Sequence, residues 1–124
     1  MRNLDKSLPF YLLLIMTFGL FSCFSAKETP QDLIFYYFES CPSCDEYILA
    51  EELSGKINNL NKKAKWDGTH YNLIVPQGVD RLKTTLKEKN LPDISRSLPL
   101  LIIGTDYING YDAIETKLNE LLTE

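Results

Sequence analysis

Cys41-Pro42-Ser43-Cys44 stands between two segments of different pattern, and that placement restricts the fold more than any other feature of the chain. Before it, Leu33-Ile34-Phe35-Tyr36-Tyr37-Phe38 is an unbroken apolar and aromatic run of strand length, the pattern of a strand covered on both faces. After it, apolar residues recur at Ile48, Leu49, Leu53, Ile57 and Leu60, the threes and fours of an amphipathic helix. The cysteines are therefore expected at a strand-to-helix junction. Pro42 fits the first helical turn, where its missing N–H would have no partner anyway.

The remaining elements follow from the same patterns. Tyr71 to Val75 reads as a second strand ended by Pro76 and Gly78, and Val79, Leu82 and Leu86 give a second helical stripe. Leu98 to Ile103 reads as a third strand, and the turn Gly104-Thr105-Asp106 leads into a short fourth around Tyr107 and Ile108. Asp112 is placed to cap the last helix with Glu115 three residues on, and Ile114, Leu118, Leu121 and Leu122 form its apolar face. The order β-α-β-α-β-β-α predicts an α/β domain with a mixed four-stranded sheet and flanking helices. Strands separated by helices are expected to pair in parallel, and the last two in antiparallel.

With that order, Cys-Pro-x-Cys after strand one and Leu98-Pro99 opening strand three, residues 32–122 resemble the thioredoxin superfamily, and more closely its glutaredoxin-like branch. The resemblance implies a cis peptide bond at Pro99 facing the cysteine pair, and a Leu98 backbone that pairs with substrate like an added strand. It implies no cofactor. A sulfur beside the unpaired amides of a helix start is stabilised as thiolate, so Cys41 is assigned as nucleophile and Cys44, about one turn on, as the resolving thiol. Two other readings of the motif are open. A zinc centre would need four ligands, and the chain offers one histidine, His70, to which no role is given, so two chains would have to share the metal. A static disulfide closing so short a loop would remove little chain entropy.

Departures from the family narrow the expectation. Phe35 stands where thioredoxins keep a buried aspartate, which leaves Glu39 as the nearest acid, either a proton shuttle and source of charge repulsion for Cys41 or a solvated loop carboxylate. Phe38-Glu39-Ser40 and Asn109-Gly110-Tyr111-Asp112 replace the cation and paired glycines with which glutaredoxins hold glutathione, so the expected partner is a protein disulfide or dithiol. Ser43 supplies no cation, which predicts a pair less oxidising than relatives with histidine there. No Gly-rich dinucleotide fingerprint is present, so electrons are expected from a membrane thiol relay. A non-catalytic module that holds a client at the membrane is the alternative, and retention of both cysteines argues against it.

The N-terminal segment sets the location. Arg2 and Lys6 precede an uncharged stretch from Leu8 to Phe21, the order of a secretory signal, and Leu20-Phe21-Ser22-Cys23 resembles the bacterial lipobox. Residues 1–22 are then a signal peptide, 23–31 a lipidated cysteine and tether, and 32–124 the domain. An uncleaved anchor and an ordinary signal peptide are the competing readings. The expected site is extracytoplasmic and membrane-anchored, at the periplasmic face or cell surface, and the tether from Phe24 to Gln31 reaches at most about 28 Å.

Of 13 basic and 17 acidic side chains, Arg2, Lys6 and Asp5 precede Cys23, so the mature part carries a formal charge of −5 against −4 for the full chain. That balance excludes a nucleic-acid binder on electrostatic grounds. Lys62, Lys63 and Lys65 form the one basic cluster and read as a solvated helix end.

Overall fold

The computed structural model describes residues 28–124. The signal segment, Cys23 and the first part of the tether lie outside the described residues. The element order is β1 (Gln31–Tyr37), α1 (Asp45–Leu60), β2 (Trp66–Asn72), α2 (Pro76–Glu88), β3 (Leu100–Ile103), β4 (Asp106–Asn109) and α3 (Tyr111–Thr123). Among the described residues no helix is long and apolar enough to cross a membrane.

β1 is central because its side chains are apolar on both faces. Leu33, Phe35 and Tyr37 point into one core with Ala50, Leu53 and Ile57 of α1 and Ile114, Leu118 and Leu121 of α3. Ile34 and Tyr36 point the other way, into a second core with Leu82 and Leu86 of α2. Two helices thus cover one face of the sheet and one helix the other, so each face is sealed from water. Each large side chain buried this way contributes about 1.5–3 kcal/mol from removed apolar area. The Tyr36 hydroxyl, deep in the second core, shares a hydrogen bond of 2.8 Å with Thr85. Burial pushes the Tyr36 phenol above its ordinary range, and the Thr85 bond offsets part of that.

The sheet order is β2-β1-β3-β4, with β1 and β2 parallel and the pairs β1–β3 and β3–β4 antiparallel. This is a thioredoxin-like fold, mixed and four-stranded as its sequence implies. One pairing differs from expectation: β3 follows a helix yet runs against β1. Asn90, at φ 54°, ends α2, with the Asn90 and Leu91 N–H groups donating to the carbonyls of Lys87 and Leu86. Residues 91–99 then return along the sheet, so β3 begins with Leu100 opposite Tyr36 and ends with Ile103 opposite Leu33. This return, which includes turns closed by Ile94 N–H to Pro92 C=O and Ser97 N–H to Ile94 C=O, makes the connection a there-and-back path rather than a single crossover.

Three boundaries also differ. The second strand lies earlier than Tyr71–Val75, and Ile74 and Val75 are exposed. The first five residues of that strand, Trp66-Asp67-Gly68-Thr69-His70, offer one large apolar side chain, the buried Trp66, because β2 is an edge strand, and the strand's two ends pair with Gln31 and Tyr37. The first turn of α1 is not part of the core: Ala50, Leu53, Ser54, Ile57 and Leu60 are its buried face, while Ile48 and Leu49 face solvent. Asp112 does not cap α3. The chain leaves β4 through Gly110 at φ 90°, a left-handed backbone suited to glycine, and helical bonding starts with Ile114 N–H to Gly110 C=O at 3.0 Å. Asp112 lies in the first turn, where its charge favours the helix dipole, and Glu115 pairs with Lys56 of α1 at 3.2 Å.

Candidate active site

Cys41 and Cys44 are joined by a disulfide, with Cα atoms 5.3 Å apart, at the junction of β1 and α1. The intervening backbone is a turn and not yet helix. Cys44 N–H donates to Cys41 C=O at 3.0 Å, and Cys44, in extended conformation, is the N-cap residue of α1. Pro42 therefore occupies the second position of a hydrogen-bonded turn, where its fixed φ is equally suitable, instead of the first helical turn. Tyr47 and Ile48 donate their N–H groups to the Cys44 carbonyl, so the sulfur pair sits directly at the start of the helix dipole. Both cysteines are half-buried, and Pro42 and Ser43 are exposed. The Ser43 hydroxyl lies 3.6 Å from Cys41 Sγ.

Glu39, two residues before Cys41, is held from two elements, β2 and α3. Its N–H donates to Asn72 Oδ1 at 3.3 Å and its carbonyl accepts from Asn72 Nδ2 at 2.9 Å, which pins the loop to the end of β2. Ile74 N–H donates to the same Asn72 oxygen at 3.2 Å. From the start of α3, the Tyr111 hydroxyl donates to Glu39 Oε1 at 2.5 Å. Burial and then the bond to Glu39 push the Tyr111 phenol far above its ordinary range, so the hydroxyl stays a donor throughout neutral pH. Of the two sequence readings of Glu39, the freely solvated loop carboxylate is not what this geometry shows.

Leu98 and Pro99 lie at the same end of the sheet, joined by a cis peptide bond just before β3. Gly110 N–H donates to the Pro99 carbonyl at 3.1 Å, which ties this loop to the start of α3. Asn109 Nδ2 donates to the Ser97 carbonyl. Exposed apolar side chains cluster at this end of the sheet: Phe38 follows β1, Ile74 and Val75 follow β2, and Ile48 and Leu49 follow the disulfide. His70 is exposed on β2, opposite Phe35 in register. A groove of about 430 Å³ lined by Gln31, Lys65, Trp66 and Glu124 lies at the other end, where the chain enters β1, and has no part in this site.

Tyr111 and Asn72 were not legible as site residues. Tyr111 is 72 positions from Glu39 along the chain, and only the topology that starts α3 beside the end of β1 brings them together. The one hint was positional, since Tyr111 lies in the stretch that the glutaredoxin resemblance sets against the family's paired glycines. Among the described residues no group of three or more His, Cys, Asp or Glu side chains is placed to hold a metal. Chemically, a half-buried disulfide at a helix start, with exposed residues between its cysteines, is compatible with thiol–disulfide exchange. Comparison with family models, with curated proteins and with solved structures finds no match, so the thioredoxin-like assignment rests on topology and on the Cys41–Cys44 pair.

Proposed function

We propose that the protein is an extracytoplasmic, membrane-anchored thiol–disulfide oxidoreductase of the glutaredoxin-like branch, acting on protein cysteines. The observation that carries this reading is the Cys41–Cys44 disulfide at the half-exposed β1–α1 junction of a thioredoxin-like sheet. In the reduced pair, the Cys41 thiolate attacks one sulfur of a client disulfide. The client S–S bond breaks, a Cys41–client disulfide forms, and the other client sulfur leaves as a thiolate that takes up a proton. Cys44 then loses its proton and attacks Cys41 Sγ, which re-forms the Cys41–Cys44 bond and releases the second client thiol. Two electrons have passed to the client, and an external dithiol of a membrane relay returns them while becoming a disulfide itself.

The surroundings support a protein client over a small thiol. Phe38, Ile48, Ile74 and Val75 are exposed apolar side chains on the loops and helix start at the same end of the sheet as the pair. The Leu98 backbone would take a client segment as an added strand. Lipidation at Cys23 would hold the domain within about 28 Å of the bilayer. The chain enters at the start of β1 and the cysteines follow its end, so the pair would face away from the lipid. Fatty-acid labelling lost in Cys23→Ala would support the anchor, and label retained would overturn it. For the activity, Cys44→Ala expressed in cells is expected to strand a client on Cys41, visible as a reductant-sensitive adduct absent from the Cys41→Ser/Cys44→Ala double variant. Adducts independent of Cys41 would contradict the reading.

A further inference from the structure

Glu39 is restrained far more than a surface loop carboxylate needs to be. Asn72 fixes its backbone on both sides, and Tyr111 fixes its side chain. Glu39 precedes Cys41 by two residues, so their Cα atoms are at most about 7.6 Å apart, on the scale of the roughly 8 Å over which charges interact at physiological salt. A carboxylate fixed in the loop that leads into Cys41 would act on the sulfur with a constant field, whereas one free to sweep through solvent would be largely averaged out. The groups facing the Tyr111 hydroxyl add no positive charge: they are Glu39 from the loop, Glu46 from α1 and Tyr37 from β1. Phe35 is a fully buried apolar side chain, and Glu39 is the acidic residue nearest to Cys41 along the chain.

We propose that Tyr111 is a positioning residue for the cysteine pair: its hydroxyl holds the Glu39 carboxylate beside Cys41, and the held charge opposes the Cys41 thiolate and makes the pair a stronger reductant. The inference rests on the proposed exchange activity for its biological meaning, but its physical content does not depend on a client. Reducing the Cys41–Cys44 bond takes two electrons from an external dithiol, which becomes a disulfide. It takes two protons if both sulfurs end as thiols and one if Cys41 remains a thiolate. The oxidised pair carries no charge for Glu39 to act on. A fixed negative charge therefore raises the free energy of the thiolate-containing reduced state alone, and the equilibrium moves towards the disulfide.

The test is a thermodynamic cycle on the full chain, in its reduced form, with Tyr111→Phe, Glu39→Gln and the double variant. The pH midpoint for alkylation of Cys41 by iodoacetamide is read by mass spectrometry of the Cys41 peptide, so that Cys23 does not interfere. E39Q is expected to lower the midpoint by about half a unit to one unit, and Y111F to lower it by a smaller amount. In the E39Q background Y111F is expected to have no further effect. The equilibrium constant with a glutathione redox buffer should move in the same order, each variant becoming more oxidising than the wild type. A midpoint left unchanged or raised by Y111F, or an equal shift in both backgrounds, would overturn the proposal, because a merely structural tyrosine would act regardless of residue 39. Circular dichroism of each variant establishes that it is folded. Absence of client reduction with the cycle intact would instead count against the activity and leave the positioning role standing.

Discussion

Asn72 does more for the site than its place at the end of an edge strand suggests. Its side chain amide donates to the Glu39 carbonyl and accepts from the N–H groups of Glu39 and Ile74, joining the loop before the disulfide to the loop after β2. Asn72→Ala removes all three bonds from a half-buried place, and the expected cost is about 1–3 kcal/mol. Hydrogen exchange at the Glu39 and Ile74 amides should quicken selectively, and unchanged protection there would show that the loop holds itself. The sulfur pair was legible because its spacing and its position between a strand run and a helix stripe are local. Asn72 and Tyr111 were not, because a polar residue at a strand end has no signature until its distant partner is known. The same holds for Lys63, which read as part of a solvated basic cluster. Its ammonium in fact donates to the carbonyls of Leu121 and Leu122, closing the end of α3.

At the scale of helices and strands, α1 approaches β2 closely at Gly68. A Cβ at that position would lie 2.6 Å from Ile57 Cγ2, and the Asn61 side chain brackets the same residue, donating to its carbonyl at 2.7 Å and accepting its N–H at 2.6 Å. Ile57 is fully buried and has no room to yield. Gly68→Ala is therefore expected to destabilise by roughly 1–3 kcal/mol through overpacking, outweighing the ~0.5–1 kcal/mol that alanine gains in backbone entropy. Urea unfolding measures the difference, and an unchanged or raised midpoint would contradict the packing described. Element order and sheet class followed from hydrophobic period, since β1 and the stripes of α2 and α3 bury what their patterns imply. The start of β2 was hidden because an edge strand needs few apolar residues. The direction of β3 was hidden because nothing local in residues 91–99 distinguishes a return path from a loop.

In the folded domain, three tyrosines share one electrostatic condition. Burial first, with nearby carboxylates for Tyr37 and Tyr111, raises the phenols of Tyr36, Tyr37 and Tyr111 above the ordinary value of about 10. A raised folded-state value means that the unfolded chain releases these protons first as pH rises. Their contribution is fully present below about pH 10 and declines above it. The urea midpoint should stay level from pH 7 to about 9 and fall beyond 10, with a shallower fall in Y111F. A midpoint that keeps rising past pH 10 would contradict the assigned environments. Two sealed cores and a sheet that ends in a loop cluster separate the fold from its chemistry: one end of β1 receives the chain, and the other presents the disulfide, Glu39 and the Leu98–Pro99 loop.

Exchange at the Cys41–Cys44 pair is tested by reduction of insulin disulfides with dithiothreitol as electron source, followed as turbidity. The full chain is expected to accelerate precipitation of the released B chain at catalytic concentration, and Cys41→Ser to abolish the acceleration while leaving the fold intact by circular dichroism. Acceleration that survives in C41S, or a folded wild-type chain inert towards insulin and every other protein disulfide offered, would contradict the account.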